Sequence, residues 1–76
     1  MRTIQINREN LGTVMQLPCV EMCFKTVSGH FRFKGSFESK AHYARYAREN
    51  DWLIQVSEKS WRAMSNAEYQ RIKDKL

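Results

Sequence analysis

The run Cys19-Val20-Glu21-Met22-Cys23-Phe24-Lys25-Thr26-Val27-Ser28-Gly29-His30-Phe31-Arg32-Phe33-Lys34-Gly35-Ser36-Phe37 decides the fold. Apolar and polar side chains alternate on either side of Ser28-Gly29, the period of half-buried strands, so residues 19–27 and 30–37 read as a hairpin. Gly29 permits the positive φ that tight hairpin turns require. A two-residue turn at Ser28-Gly29 would set Val27 opposite His30, Lys25 opposite Arg32, Phe24 opposite Phe33, Cys23 opposite Lys34 and Met22 opposite Gly35. That register predicts an apolar face of Val20, Met22, Phe24, Thr26, Phe31, Phe33 and Phe37, with Gly35 leaving room for a close neighbour. The other face gathers Lys25, His30, Arg32 and Lys34, and Glu21 marks its far edge.

Outward from the hairpin, Thr3-Ile4-Gln5-Ile6-Asn7 alternates as a short strand. Residues 8–17 fit either a short helix carrying Leu11, Val14 and Met15 or an extended segment, and Pro18 ends whichever forms. Ser39 is placed to cap a helix over 40–49, with Tyr43, Ala44 and Ala47 on one face and His42, Arg45 and Glu49 on the other. Residues 52–56 and 61–64 form a second hairpin around Ser57-Glu58-Lys59-Ser60, with Trp52 and Trp61 packing across it. Ser65-Asn66-Ala67-Glu68 is a capping box that opens a last helix burying Tyr69, Ile72 and Leu76. The expectation is a single α+β domain over 1–76: a small antiparallel sheet of two hairpins plus an N-terminal strand, with two helices packed on its apolar face.

Composition narrows the functional classes. The chain has 76 residues, 42% hydrophobic and 28% charged, a globular balance. A chain of this size buries only about 60% of its unfolded surface, so the core is thin and a large multi-part active site is not expected. The net charge of +5 is uneven. In 25–48, Lys25, Arg32, Lys34, Lys40, Arg45 and Arg48 face a single acidic residue, Glu38, and the rest of the chain is neutral. A concentrated positive field steers anionic partners, although it also serves solubility alone. No run approaches the roughly 20 apolar residues of a membrane span, and no signal-peptide pattern opens the chain, so a cytoplasmic protein is expected.

Catalytic chemistry finds little support in the residue pattern. Cys19 and Cys23, four strand residues apart, would lie about 13 Å from each other, too far for a disulfide or a shared zinc ion. They read as reduced thiols, with some thiolate character expected at Cys23 opposite Lys34. His30 is the one catalytic candidate, and no acidic partner is evident to orient it. There is no Gly-rich phosphate loop, paired carboxylate motif or nucleophile elbow, so neither an enzyme, a metal nor a cofactor is expected. Lys25 opposite Arg32 is a like-charge pair costing roughly 0.2–1 kcal/mol, which an anion lying on that face would offset. Phe31 and Phe33 read as core, whereas Tyr46 and Trp61 are candidates for anchoring a protein interface.

Through Gly29-His30-Phe31-Arg32-Phe33, Phe37-Glu38-Ser39 and the alanines that follow, residues 19–48 resemble the arm-type DNA-binding domain of phage integrases. The resemblance implies a small sheet followed by a helix, with the sheet reading DNA through Lys25, Arg32 and Lys34. Tyr43 departs from it, standing where a small alanine is usual, and a second hairpin and helix follow. The overall plan is also similar to small phage-encoded inhibitors of the anti-CRISPR kind, without a shared motif. The expected function is that of a small non-catalytic binding protein of a phage or mobile element, with nucleic acid engaged by Lys25, His30, Arg32, Lys34, Arg45 and Arg48. One alternative is an inhibitor that docks on an acidic host protein surface through Tyr46 or Trp61. The other is a small ribonuclease centred on His30. An exposed sheet edge would also permit a homodimer.

Overall fold

The computed structural model describes residues 2–38 and 46–75. Its elements run β1 (Thr3–Gln5), α1 (Leu11–Met15), β2 (Val20–Lys25), β3 (Phe31–Gly35), β4 (Tyr46–Arg48), β5 (Trp52–Gln55), β6 (Trp61–Met64) and α2 (Asn66–Ile72), followed by a 3-10 turn at Lys73–Lys75. The strands pair antiparallel in two three-stranded sheets, ordered β1-β5-β6 and β2-β3-β4. The α+β class therefore holds, with two sheets in place of one. Tyr46–Arg48 is a strand rather than the end of a helix over 40–49, and residues 39–45 lie outside the described residues. Strand pairing wins at 46–48 because β4 satisfies the second edge of β3 and places Ala47, which is fully buried, against Phe33.

The first hairpin adopts a different register from the one expected of a two-residue turn. Gly29 has φ 86°, its N–H donates to the Thr26 carbonyl at 2.9 Å, and the Thr26 N–H donates to the His30 carbonyl at 2.8 Å. The loop is thus three residues, Val27-Ser28-Gly29, with glycine in the left-handed position. A two-residue type I′ turn would have required Ser28 at positive φ as well, which a residue with a Cβ resists. The pairs become Lys25 with Phe31, Phe24 with Arg32, Cys23 with Phe33 and Met22 with Lys34. This one-residue slip turns each β2 side chain to the opposite face from that expected. A bulge between Val20 and Met22 then restores Val20, paired with Gly35, to the inner side.

The core lies between the sheets and contains Phe33, Phe37, Ala47, Leu53, Trp61 and Ala63. Val14 of α1 is fully buried among them, so the ambiguous 8–17 segment resolves as a helix over Leu11–Met15. One strand extension ties the sheets together and another lengthens the β1–β5 ladder. The Glu38 N–H donates to the Trp61 carbonyl at 2.9 Å and Ala63 N–H to the Glu38 carbonyl at 2.8 Å, while Ile6 N–H donates to the Asp51 carbonyl at 2.9 Å.

The second hairpin forms where expected, but its tryptophans do not pack on each other. Trp52 pairs with Met64 and Trp61 with Gln55, which puts the two indoles on opposite faces. Trp61 is buried in the core, whereas Trp52 stacks on Tyr69 with ring centroids 3.7 Å apart. The Trp52 indole N–H also donates to Asn66 Oδ1 at 2.9 Å. Ser65 caps α2 as expected, its Oγ accepting from the Glu68 N–H at 3.2 Å. Tyr69 and Ile72 are half-buried rather than buried, and Leu76 lies outside the described residues.

Candidate functional site

The register of β2, β3 and β4 builds the outer face of their sheet in two rows. Phe24, Arg32 and Arg48 make one row across the strands, and Met22, Lys34 and Tyr46 make the next. Arg32 and Lys34 share the face because they stand two residues apart on one strand. Phe24 and Tyr46, at opposite corners, meet over the central strand with ring centroids 6.1 Å apart and planes at 89°. Edge-to-face contact of this kind, one ring's edge set against the other's face, is a favourable aromatic geometry. Phe24, Arg32, Lys34 and Tyr46 are half-buried, while Arg48 and Met22 are exposed.

The face is cationic, and Arg48 on it interacts with the Asp51 carboxylate. Arg32 and Arg48 stand directly opposite each other across neighbouring strands. Such a like-charge pair costs roughly 0.2–1 kcal/mol. Arg32 Nε is buried and has no hydrogen-bond partner among the described residues. A buried donor without an acceptor carries a desolvation cost.

Lys25 is not part of this surface. It pairs with Phe31 on the other face, where its Nζ lies 5.7 Å from the Phe31 ring centroid. The expected Lys25–Arg32 opposition is therefore replaced by Arg32–Arg48. His30, exposed beyond Arg32, lines a cleft at the end of the sheet with Phe31, Arg32, Arg48, Glu49 and Asn50. Trp61 is buried and presents no anchor to a partner; Tyr46 does lie on the cationic face. Arg45 lies outside the described residues.

Glu49 is a residue that the sequence pattern did not single out. Its Oε1 accepts from the Phe31 N–H at 2.8 Å and its Oε2 from Arg8 Nε at 3.2 Å. Arg8 in turn donates from Nη2 to the Gly29 carbonyl at 3.1 Å and lies over the Phe31 ring. The Phe31 N–H, followed by the Arg8 hydrogen bond and charge and the charge of His30, holds the Glu49 carboxyl below its usual range. This carboxylate is committed to fixing the hairpin end, and both of its oxygens are occupied there. Cys23 faces Phe33 rather than Lys34, and burial pushes the thiols of Cys19 and Cys23 up, against the expected thiolate character. Among the described residues no three His, Cys, Asp or Glu side chains cluster as a metal would require.

The arrangement sets Arg32, Lys34, Arg48, Phe24, Tyr46 and Met22 on one sheet face. No family model, curated protein or solved structure matches the chain. Phe24 and Met22 complete the face, yet sequence reasoning assigned both to the core. The signal that could have placed them was the serine before Gly29, which favours a three-residue loop over the Asn-Gly type of turn.

Proposed function

We propose that this chain is a small non-catalytic binding protein that engages nucleic acid through the outer face of the β2-β3-β4 sheet. Arg32, Lys34 and Arg48 contact phosphates, and His30 borders the site at the cleft. The observation that carries this reading is the opposed Arg32–Arg48 pair with Lys34 on the same sheet face. Neutralising phosphates there releases counterions and offsets a repulsion already built into the sheet. The resemblance to integrase arm-type domains supports the same sheet as the DNA-facing element, with Lys25 removed from the contact set. Among the described residues no helix is long and apolar enough to cross a membrane.

A second reading, docking on an acidic protein surface, draws on Met22, which is 47% exposed in the row it shares with Lys34 and Tyr46. Fluorescence anisotropy with mixed-sequence DNA and RNA tests the first reading. Three phosphate contacts predict that log K falls with log salt at a slope of about −2 for single strands and about −2.7 for duplex. Arg48→Ala or Lys34→Ala should each flatten the slope by about 0.7 to 0.9. No binding at low salt, or affinity indifferent to salt, overturns the reading. Persistence of a discrete acidic partner after nuclease treatment of a pull-down would then favour the second.

A further inference from the structure

We propose that the nucleic acid taken by this face is single-stranded, with unstacked bases lying against Tyr46 and Phe24 while Arg32, Lys34 and Arg48 hold the backbone. This rests on the nucleic-acid reading above and specifies its substrate class. Two observations carry it. The cations do not stand alone: each row contains an aromatic ring, and Phe24 and Tyr46 cross the sheet diagonally between them. Phosphate contacts to a duplex have no use for ring faces, because paired bases hide theirs within the stack. Splayed bases can stack on such rings whatever their sequence.

The second observation is the shape of the element that bears the residues. A two-stranded ribbon fits a major groove about 12 Å wide. Here the face spans three strands, about 10 Å between the outer ones before side chains are added. It is backed by the core and by a second sheet. A platform of that breadth has room for a strand laid across it, its phosphates on the cations and its bases on the rings. Met22, exposed at the corner beside Lys34, extends the apolar part of the platform.

The test uses the whole chain with four labelled probes of equal length: single-stranded DNA, single-stranded RNA, the DNA duplex, and an abasic single strand that keeps the phosphates and lacks the bases. Base stacking predicts that the two intact single strands bind at least about 5-fold more tightly than the abasic strand. The duplex should bind more weakly than either. Tyr46→Ala should lower single-strand affinity about 5- to 150-fold with little effect on the abasic strand, and Tyr46→Phe should retain it. Circular dichroism checks the fold of each variant, and the abasic comparison on the unaltered chain stands if Tyr46→Ala fails to fold. Equal affinity for abasic and intact strands, or tighter duplex binding, overturns this inference and leaves the phosphate-binding reading intact. Binding to none of the probes at low salt overturns both.

Discussion

Gly35 has almost no freedom to change. A Cβ added there would meet the Cys19 carbonyl oxygen at 2.1 Å and Phe37 Cε1 at 2.7 Å. The Cys19 carbonyl is backbone, held by the Ser36 N–H at 2.8 Å, so it cannot step aside as a side chain could. Gly35→Ala should destabilise the protein by about 1–3 kcal/mol, read as a lower urea midpoint at unchanged m. Two carboxylates of the β4–β5 turn pull in opposite directions. Glu49 is held below its usual value, so the stability it contributes is present above the ordinary 4.5 and is lost as the pH falls through its folded value. Glu49→Gln should lower the Tm at neutral pH, and the gap to the unaltered protein should close in acid. Asp51 is raised by burial, only partly countered by the Arg48 N–H and then the Arg48 charge, so its ionisation above the ordinary 3.8 opposes folding. Asp51→Asn keeps an acceptor for the Arg48 N–H and should leave the neutral-pH Tm unchanged or higher, with thermal melts across pH 3 to 7 as the check.

Among the elements, α2 shows how local chemistry can be read without tertiary help. Ser65 and Glu68 sit at capping-box spacing, and the forward bond, from the Glu68 N–H to Ser65 Oγ, is present. The helix has no buried residue and depends on its cap and on the Trp52–Tyr69 stack. Ser65→Ala should cost about 1 kcal/mol and loosen that stack, seen as a change in tryptophan emission before global unfolding. The first hairpin shows the opposite case. Its strands are plain from alternation, but the pairing turns on whether Ser28-Gly29 closes two residues or three. Alternation alone satisfies either choice, and only the steric demand on Ser28 separates them. A helix over 40–49 failed at 46–48 for a related reason. Tyr46-Ala47-Arg48 fits a helix by composition, yet it completes the edge of β3 from more than ten residues away, a gain no local window contains.

At the scale of the whole molecule, the concentration of positive charge in 25–48 was legible from the residues alone, because formal charge is a property of composition. So were the β-rich α+β class, the second hairpin, the α2 cap and the packing room required at Gly35, each of which follows from short-range periodicity or stereochemistry. Which cations meet on one surface was not legible. Lys25 and Arg32 part company, and Arg32 and Arg48 come together, through a register set by one loop residue and a strand pairing between distant segments. Likewise Trp61, read as a candidate interface anchor, is the tryptophan that the opposed sheets bury, and Trp52 is left to α2. Alternation determines that a strand has two different faces. Which face turns inward depends on what packs against it, and a shift of a single residue exchanges them.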